Sequence, residues 1–183
     1  MKSIIRQYIL SYNRLSRIIK FFVTVVELCR IVAEEKINEI NPNAKSSEIN
    51  FNFTLNDFIY MANRQNKEEF ELEKQANKIL FCDNDSFALT IWTERYLGKY
   101  YNEIYDIYAN ANYLNNHNKI YILTKPNVPF VQDGLRDGEF IRDWMYNRFI
   151  QELDNKKYKY FIIDSPNFEE RLAKVLDIVE NNI

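Results

Sequence analysis

Four short apolar runs, at 22–26, 79–82, 120–123 and 160–163, alternate with longer stretches of helical periodicity, and that alternation leaves few folds open. Runs of four or five residues rich in β-branched and aromatic side chains suit strands buried on both faces. Strands that return parallel to one another need crossovers of a dozen residues or more, and the intervening stretches are long enough. The expected fold class is α/β: a three-layer domain whose mostly parallel sheet is covered by helices on both faces. A chain of 183 residues supports one such domain with a substantial core.

Between the runs, helix signals are local and specific. The segment 27–40 has a helical period and is stopped by Asn41-Pro42-Asn43. Thr54-x-x-Asp57 has the form of a capping box at the start of a long helix reaching residue 78. A helix over 86–97 has Gly98 placed to cap it. Tyr101, Ile104, Tyr105 and Tyr108 mark another, and further helices are expected over 139–153 and 168–179.

The first 22 residues stand apart. Ile4, Tyr8, Leu15, Ile18, Ile19 and Phe22 recur at helical spacing, while Lys2, Arg6, Arg14, Arg17 and Lys20 supply five positive charges with no acid. The net charge is −2, so the remainder carries 19 basic against 26 acidic residues, a net −7. A basic amphipathic helix attracts phosphate backbones or anionic lipid, but one that lays its apolar face on a sheet keeps the same charges in water. Nothing else in the sequence favours nucleic acid. The uncharged apolar run 21–26 falls far short of the ~20 residues of a membrane span, so no span and a cytoplasmic location are expected. Cys29 and Cys82 are too few for a disulfide framework.

In a parallel sheet, ligands sit beyond the carboxyl ends of the strands. This chain puts Asp83 and Asp85 there, together with the 124–136 loop and Asp164-Ser165-Pro166. A carboxylate at a strand end holds Mg²⁺ or accepts a hydroxyl proton, the two services that phosphoryl transfer needs. Asp after a strand also caps the next helix, and that plainer role fits equally well. His117, the sole histidine, lies in a polar loop with no candidate base or metal partner beside it.

Two longer motifs resemble a known family. Phe81-Cys82-Asp83-Asn84-Asp85, with Trp92 seven residues later and then Tyr96-Leu97-Gly98, resembles the ribosylnicotinamide kinase domain of the NadR type, within the P-loop kinase superfamily. Val128-Pro129-Phe130-Val131-Gln132-Asp133-Gly134-Leu135-Arg136 is similar to that family's lid, in which a Pro-aromatic pair precedes Asp-Gly-x-Arg. Glu27 with Arg30 looks like a segment after the family's second strand, and Asp164 with Arg171 like its last strand and nucleotide-base loop. The similarity spans 23–183, with a lid at 125–142.

The resemblance implies an ATP-dependent kinase that phosphorylates nicotinamide riboside to nicotinamide mononucleotide, with Mg²⁺ and ATP as cofactors. It implies catalytic roles for Asp83, as the metal ligand or the partner of the accepting hydroxyl, and for Arg136, over the phosphates. Asp85, Trp92, Glu27 and Arg30 would bind the nucleoside; Asp133, Arg136 and Arg142 would serve the lid; Asp164 and Arg171 would belong to the base loop. Separately, a tryptophan in an amphipathic helix is commonly core, and Arg142 has Glu139 near it as an acidic partner.

The departure from the family lies at the front. No Gly-x-x-x-x-Gly-Lys-Ser/Thr loop occurs, and Gly98, Gly134 and Gly138, the three glycines, all come too late to build one. The chain as written is therefore expected to be weak or inactive as an enzyme and to lack its central first strand. Three accounts fit: a truncated or frame-altered N-terminus, a degenerate kinase that serves as a non-catalytic nucleoside- or nucleotide-binding regulatory module, or an enzyme that draws its phosphate contacts from the basic helix.

Overall fold

The computed structural model describes residues 24–25, 28–40, 52–76, 79–111, 119–131 and 139–182. The elements run β1 (Thr24–Val25), α1 (Leu28–Ile40), α2 (Leu55–Glu73), β2 (Phe81–Cys82), α3 (Ala88–Leu97), α4 (Asn102–Asn110), β3 (Tyr121–Thr124), α5 (Arg142–Asn155), β4 (Tyr160–Ile163) and α6 (Phe168–Glu180). A single 3₁₀ turn, Glu139–Ile141, leads into α5. The expected basic helix over 1–22 lies outside the described residues.

The strand pairing among the described residues is parallel, as the alternating pattern requires. β1 pairs with β2, Thr24 opposite Phe81 and Val25 opposite Cys82; β3 pairs with β4, from Tyr121 opposite Tyr160 to Thr124 opposite Ile163. Helices connect strands that pair side by side, so the fold is α/β. Among the described residues no strand joins the two pairs. Ile79 and Leu80, expected in the second strand, are half-buried and lie before the paired residues Phe81 and Cys82.

The capping box forms as the sequence indicates. The Thr54 N–H donates to Asp57 Oδ2 at 2.6 Å, and the Asp57 N–H donates to Thr54 Oγ1 at 3.4 Å. From there α2 buries Phe58, Met61, Ala62, Gln65 and Glu69 on one face. It ends at Glu73, short of the expected residue 78. The residues that follow, Lys74, Gln75 and Ala76, offer almost no apolar surface, and a helix end without packing has little to sustain it.

Phe58, Met61 and Ala62 meet Val32 of α1, Leu89 of α3 and Ile104 of α4 in the main apolar cluster. Fully burying a side chain such as Phe58 contributes about 3 kcal/mol, so this helical layer anchors α2 behind the residues that follow β2. A second cluster is aromatic. Phe87 lies 5.4 Å from the rings of both Tyr121 and Tyr158 and 5.6 Å from Tyr108, which ties the start of α3 to the strands β3 and β4.

Candidate functional site

Directly after β2 the chain turns through Asp83, Asn84, Asp85 and Ser86 into α3. Every polar handle of Asp85 is occupied. Its Oδ1 accepts the Ala88 N–H at 2.9 Å, and its Oδ2 accepts Lys119 Nζ at 2.9 Å and the Tyr121 hydroxyl at 2.8 Å. The carbonyl of Asn84 accepts Gln65 Nε2 at 2.8 Å, and the Ser86 hydroxyl donates to Asn66 Oδ1. The turn is thus held by α2 on one side and the start of β3 on the other.

Electrostatics follow from crowding. Burial alone would lower the Lys119 pKa, yet Asp85 and Glu69, the latter 3.8 Å away, keep the ammonium charged and above its ordinary value. The Tyr121 hydroxyl is pushed up by burial and by the Asp85 carboxylate, so it stays a donor. Burial likewise pushes up the Cys82 thiol, with Glu69 adding to the effect, and leaves it protonated. Asp83 differs from Asp85. It is exposed and has no hydrogen bond or ion pair to a described residue, while lost hydration holds its carboxyl above the usual value.

A second constellation forms beyond the carboxyl ends of β3 and β4. Arg171 donates to the carbonyls of Ser165 and Lys125 and to Asn127 Oδ1, the last two at 2.8 and 2.6 Å. Asn127 Nδ2 in turn donates to the Asp164 carbonyl. The Asp164 carboxylate accepts Lys174 Nζ at 3.0 Å, which lowers its pKa. Arg142 donates to the Val128 carbonyl at 2.8 Å and stands 6.0 Å from the centre of the Phe130 ring. Arg142 and Arg171 therefore clamp the root of the expected lid.

The two constellations touch opposite ends of β3. Asp85 meets Tyr121, the first residue of that strand; the lid root leaves after Thr124, about 10 Å further along at 3.3 Å per residue. Asp164, Arg171 and Arg142 are brought to one corner, and Asp83 and Asp85 to another, with no described contact between the corners. Trp92 stacks on Tyr96 at 5.9 Å and packs on the main apolar cluster, with the Arg95 guanidinium 5.5 Å from its ring centre. Its Nε1 is buried with no acceptor among the described residues. Arg30 lies on α1. Glu27, Asp133 and Arg136 lie outside the described residues, as does His117. An open groove of about 680 Å³ runs along α2 between Tyr60 and Leu72, and none of the expected site residues lines it.

A family model described as "AAA domain" matches residues 11–171, most of the chain. The chain belongs to this AAA domain family. Its fold and its place in the P-loop superfamily follow, and domains of that superfamily generally bind a nucleotide and Mg²⁺. No curated protein matches the chain.

For an AAA domain the two expected ligands fit this chain unequally. Mg²⁺ takes oxygen ligands, keeps several waters, and needs only one or two protein carboxylates, a demand that the unpartnered Asp83 meets. Among the described residues no group of three or more His, Cys, Asp or Glu could form an all-protein metal cage. The phosphates of ATP fit poorly, because the sequence has no glycine-rich loop and its Lys to receive them.

The residues that organise the acidic turn, Gln65, Asn66, Glu69, Lys119 and Tyr121, were not singled out from the sequence. One signal was available. Gln65 and Glu69 fall four residues apart on the apolar stripe of α2, where a buried polar pair needs polar company. Lys119 and Tyr121 carried none, since their roles come from contacts across 34 and 36 residues.

Proposed function

We propose that this AAA-family chain binds nicotinamide riboside, and that it descends from, or retains in weakened form, an ATP-dependent kinase that makes nicotinamide mononucleotide. The observation that carries the reading is Asp83: a carboxylate at the end of a parallel strand, exposed and unpartnered, in the position where the lid-bearing family keeps its metal or hydroxyl partner. The 128–136 motif supports it, with Arg136 and Asp133 as the lid groups and Arg142 bracing the lid root. Glu27, Arg30 and Trp92 are the proposed nucleoside contacts, Asp164 and Arg171 the proposed base loop, and the cytoplasm the proposed location. No helix among the described residues is long and apolar enough to cross a membrane.

Turnover is expected to be poor. Each charge-assisted hydrogen bond to phosphate contributes about 1.5 to 3 kcal/mol, so a chain without several loop N–H donors and a Lys loses orders of magnitude in ATP affinity. That favours a second reading, a nucleoside- or nucleotide-binding regulatory module without catalysis. Calorimetric titration with nicotinamide riboside and with Mg·ATP, beside a chromatographic assay for nicotinamide mononucleotide, separates them. Binding of the riboside with ATP weak and product scarce supports the proposal; failure to bind the riboside at millimolar concentration removes it.

A further inference from the structure

The two carboxylates of the acidic turn are in different circumstances, and their neighbours say what each is for. Asp85 is 5% exposed, and its oxygens accept a backbone N–H, an ammonium and a phenol hydroxyl. Lys119, the ammonium donor, reaches towards Glu69; Glu69 accepts Gln65 Nε2 at 2.8 Å; and Gln65 donates onward to the Asn84 carbonyl, back in the same turn. The ring closes from α2 through the turn to β3 and returns. A sugar hydroxyl competing for Asp85 would have to displace Lys119 or Tyr121 from a buried carboxylate and leave a charge without its partner. An anion fares no better at Lys119, where two carboxylates already face one ammonium.

We propose that Asp85 is the anchor of the turn and makes no ligand contact, and that Lys119 and Gln65 are positioning residues whose work is to aim Asp83, the one carboxylate left free, at a ligand hydroxyl or a hydrated Mg²⁺. The division is physical. A turn that follows a two-residue strand gains little order from the sheet, so a carboxylate on it points reproducibly only if side chains from elsewhere hold the backbone. Gln65 holds the Asn84 carbonyl, one residue from Asp83, and Lys119 holds the other end through Asp85. The ligand identity rests on the proposed nucleoside reading; the anchoring does not.

A double-mutant cycle on the full chain tests this, with Asp85→Asn, Lys119→Met and the two combined. Two readouts need no ligand: the thermal midpoint, and amide hydrogen exchange in a peptide covering 79–90. Each single variant is expected to lower the midpoint by on the order of 5 °C and to speed exchange at 83–88 about tenfold, with the double variant no worse than either single. Lys119→Arg, which keeps the charge, is expected to restore most of both. Asp83→Asn is expected to leave exchange at the turn unchanged.

Nicotinamide riboside affinity, measured well below every midpoint, gives the third readout. Adding Asp85→Asn to Lys119→Met is expected to change it less than about twofold, whereas a direct sugar contact predicts a further loss of about tenfold. Additive midpoint losses with unaltered exchange overturn the anchor, and so does that further loss of affinity. If the wild-type chain does not bind the riboside, the functional reading fails alone, and the midpoint and exchange cycles still decide the anchor.

Discussion

Arg148 shows how much one side chain carries here. It donates from Nε to Glu94 Oε2 at 2.6 Å and from Nη1 to Glu152 Oε2 at 2.9 Å, joining α3, which follows the acidic turn, to α5, which follows the lid. Glu152 is buried, so Arg148→Met strands its charge and should cost about 3 kcal/mol in urea unfolding. A loss below 1 kcal/mol would mean that Tyr100 and Lys156, its other neighbours, suffice. Asp83 makes an opposite prediction. Lost hydration raises its folded pKa although the residue is exposed, so it favours the folded state fully only below the unfolded value of about 3.8, and that contribution is lost as pH rises through the folded pKa. Asp83→Asn should therefore unfold at a higher temperature than wild type at pH 7, with the gap closing towards pH 3. A lower midpoint at pH 7 would contradict that. Asp83 was legible in the sequence as a strand-end acid, whereas the commitment of Asp85 was not, because its partners are more than thirty residues away.

At the scale of elements, the helix ends report local chemistry. Thr54→Ala breaks the capping box of α2 and should cost about 1 kcal/mol in chemical denaturation. Asp57, its partner, is pulled up by burial but pulled down further by the Thr54 backbone and hydroxyl and by Lys36, so its folded pKa lies below 3.8. Its contribution is present above pH 4 and lost as the pH falls through that lower value, so Asp57→Asn should flatten the acid limb of the stability curve below pH 4. Gly98 closes α3 with φ of +70°, and a Cβ there would meet nothing within 4 Å. Gly98→Ala should then cost only the left-handed backbone, about 1 kcal/mol, and a much larger loss would point to contacts beyond the described residues. Both caps were readable locally, one as a four-residue pattern and the other as a glycine at the end of a helical period. The end of α2 was not, since it depends on where packing stops.

At the scale of the whole molecule, the two strand pairs seen among the described residues differ in extent. β1 and β2 share two residues each and β3 and β4 four, so the first pair has fewer ladder bonds to protect it. Native-state hydrogen exchange of the full chain should open residues 81–82 at least about tenfold faster than 122–124. Equal protection would mean that packing against α2, not strand pairing, holds β2. The sequence by itself determined the α/β class, the parallel crossovers and the place in the P-loop superfamily, because hydrophobic periodicity and short motifs are properties of neighbouring residues. Only the tertiary structure decided which of two adjacent carboxylates is spent on the fold, and that the acidic turn and the lid root meet opposite ends of β3. Those outcomes depend on burial and on hydrogen bonds between distant segments, and no local pattern of residues encodes a partner on another element.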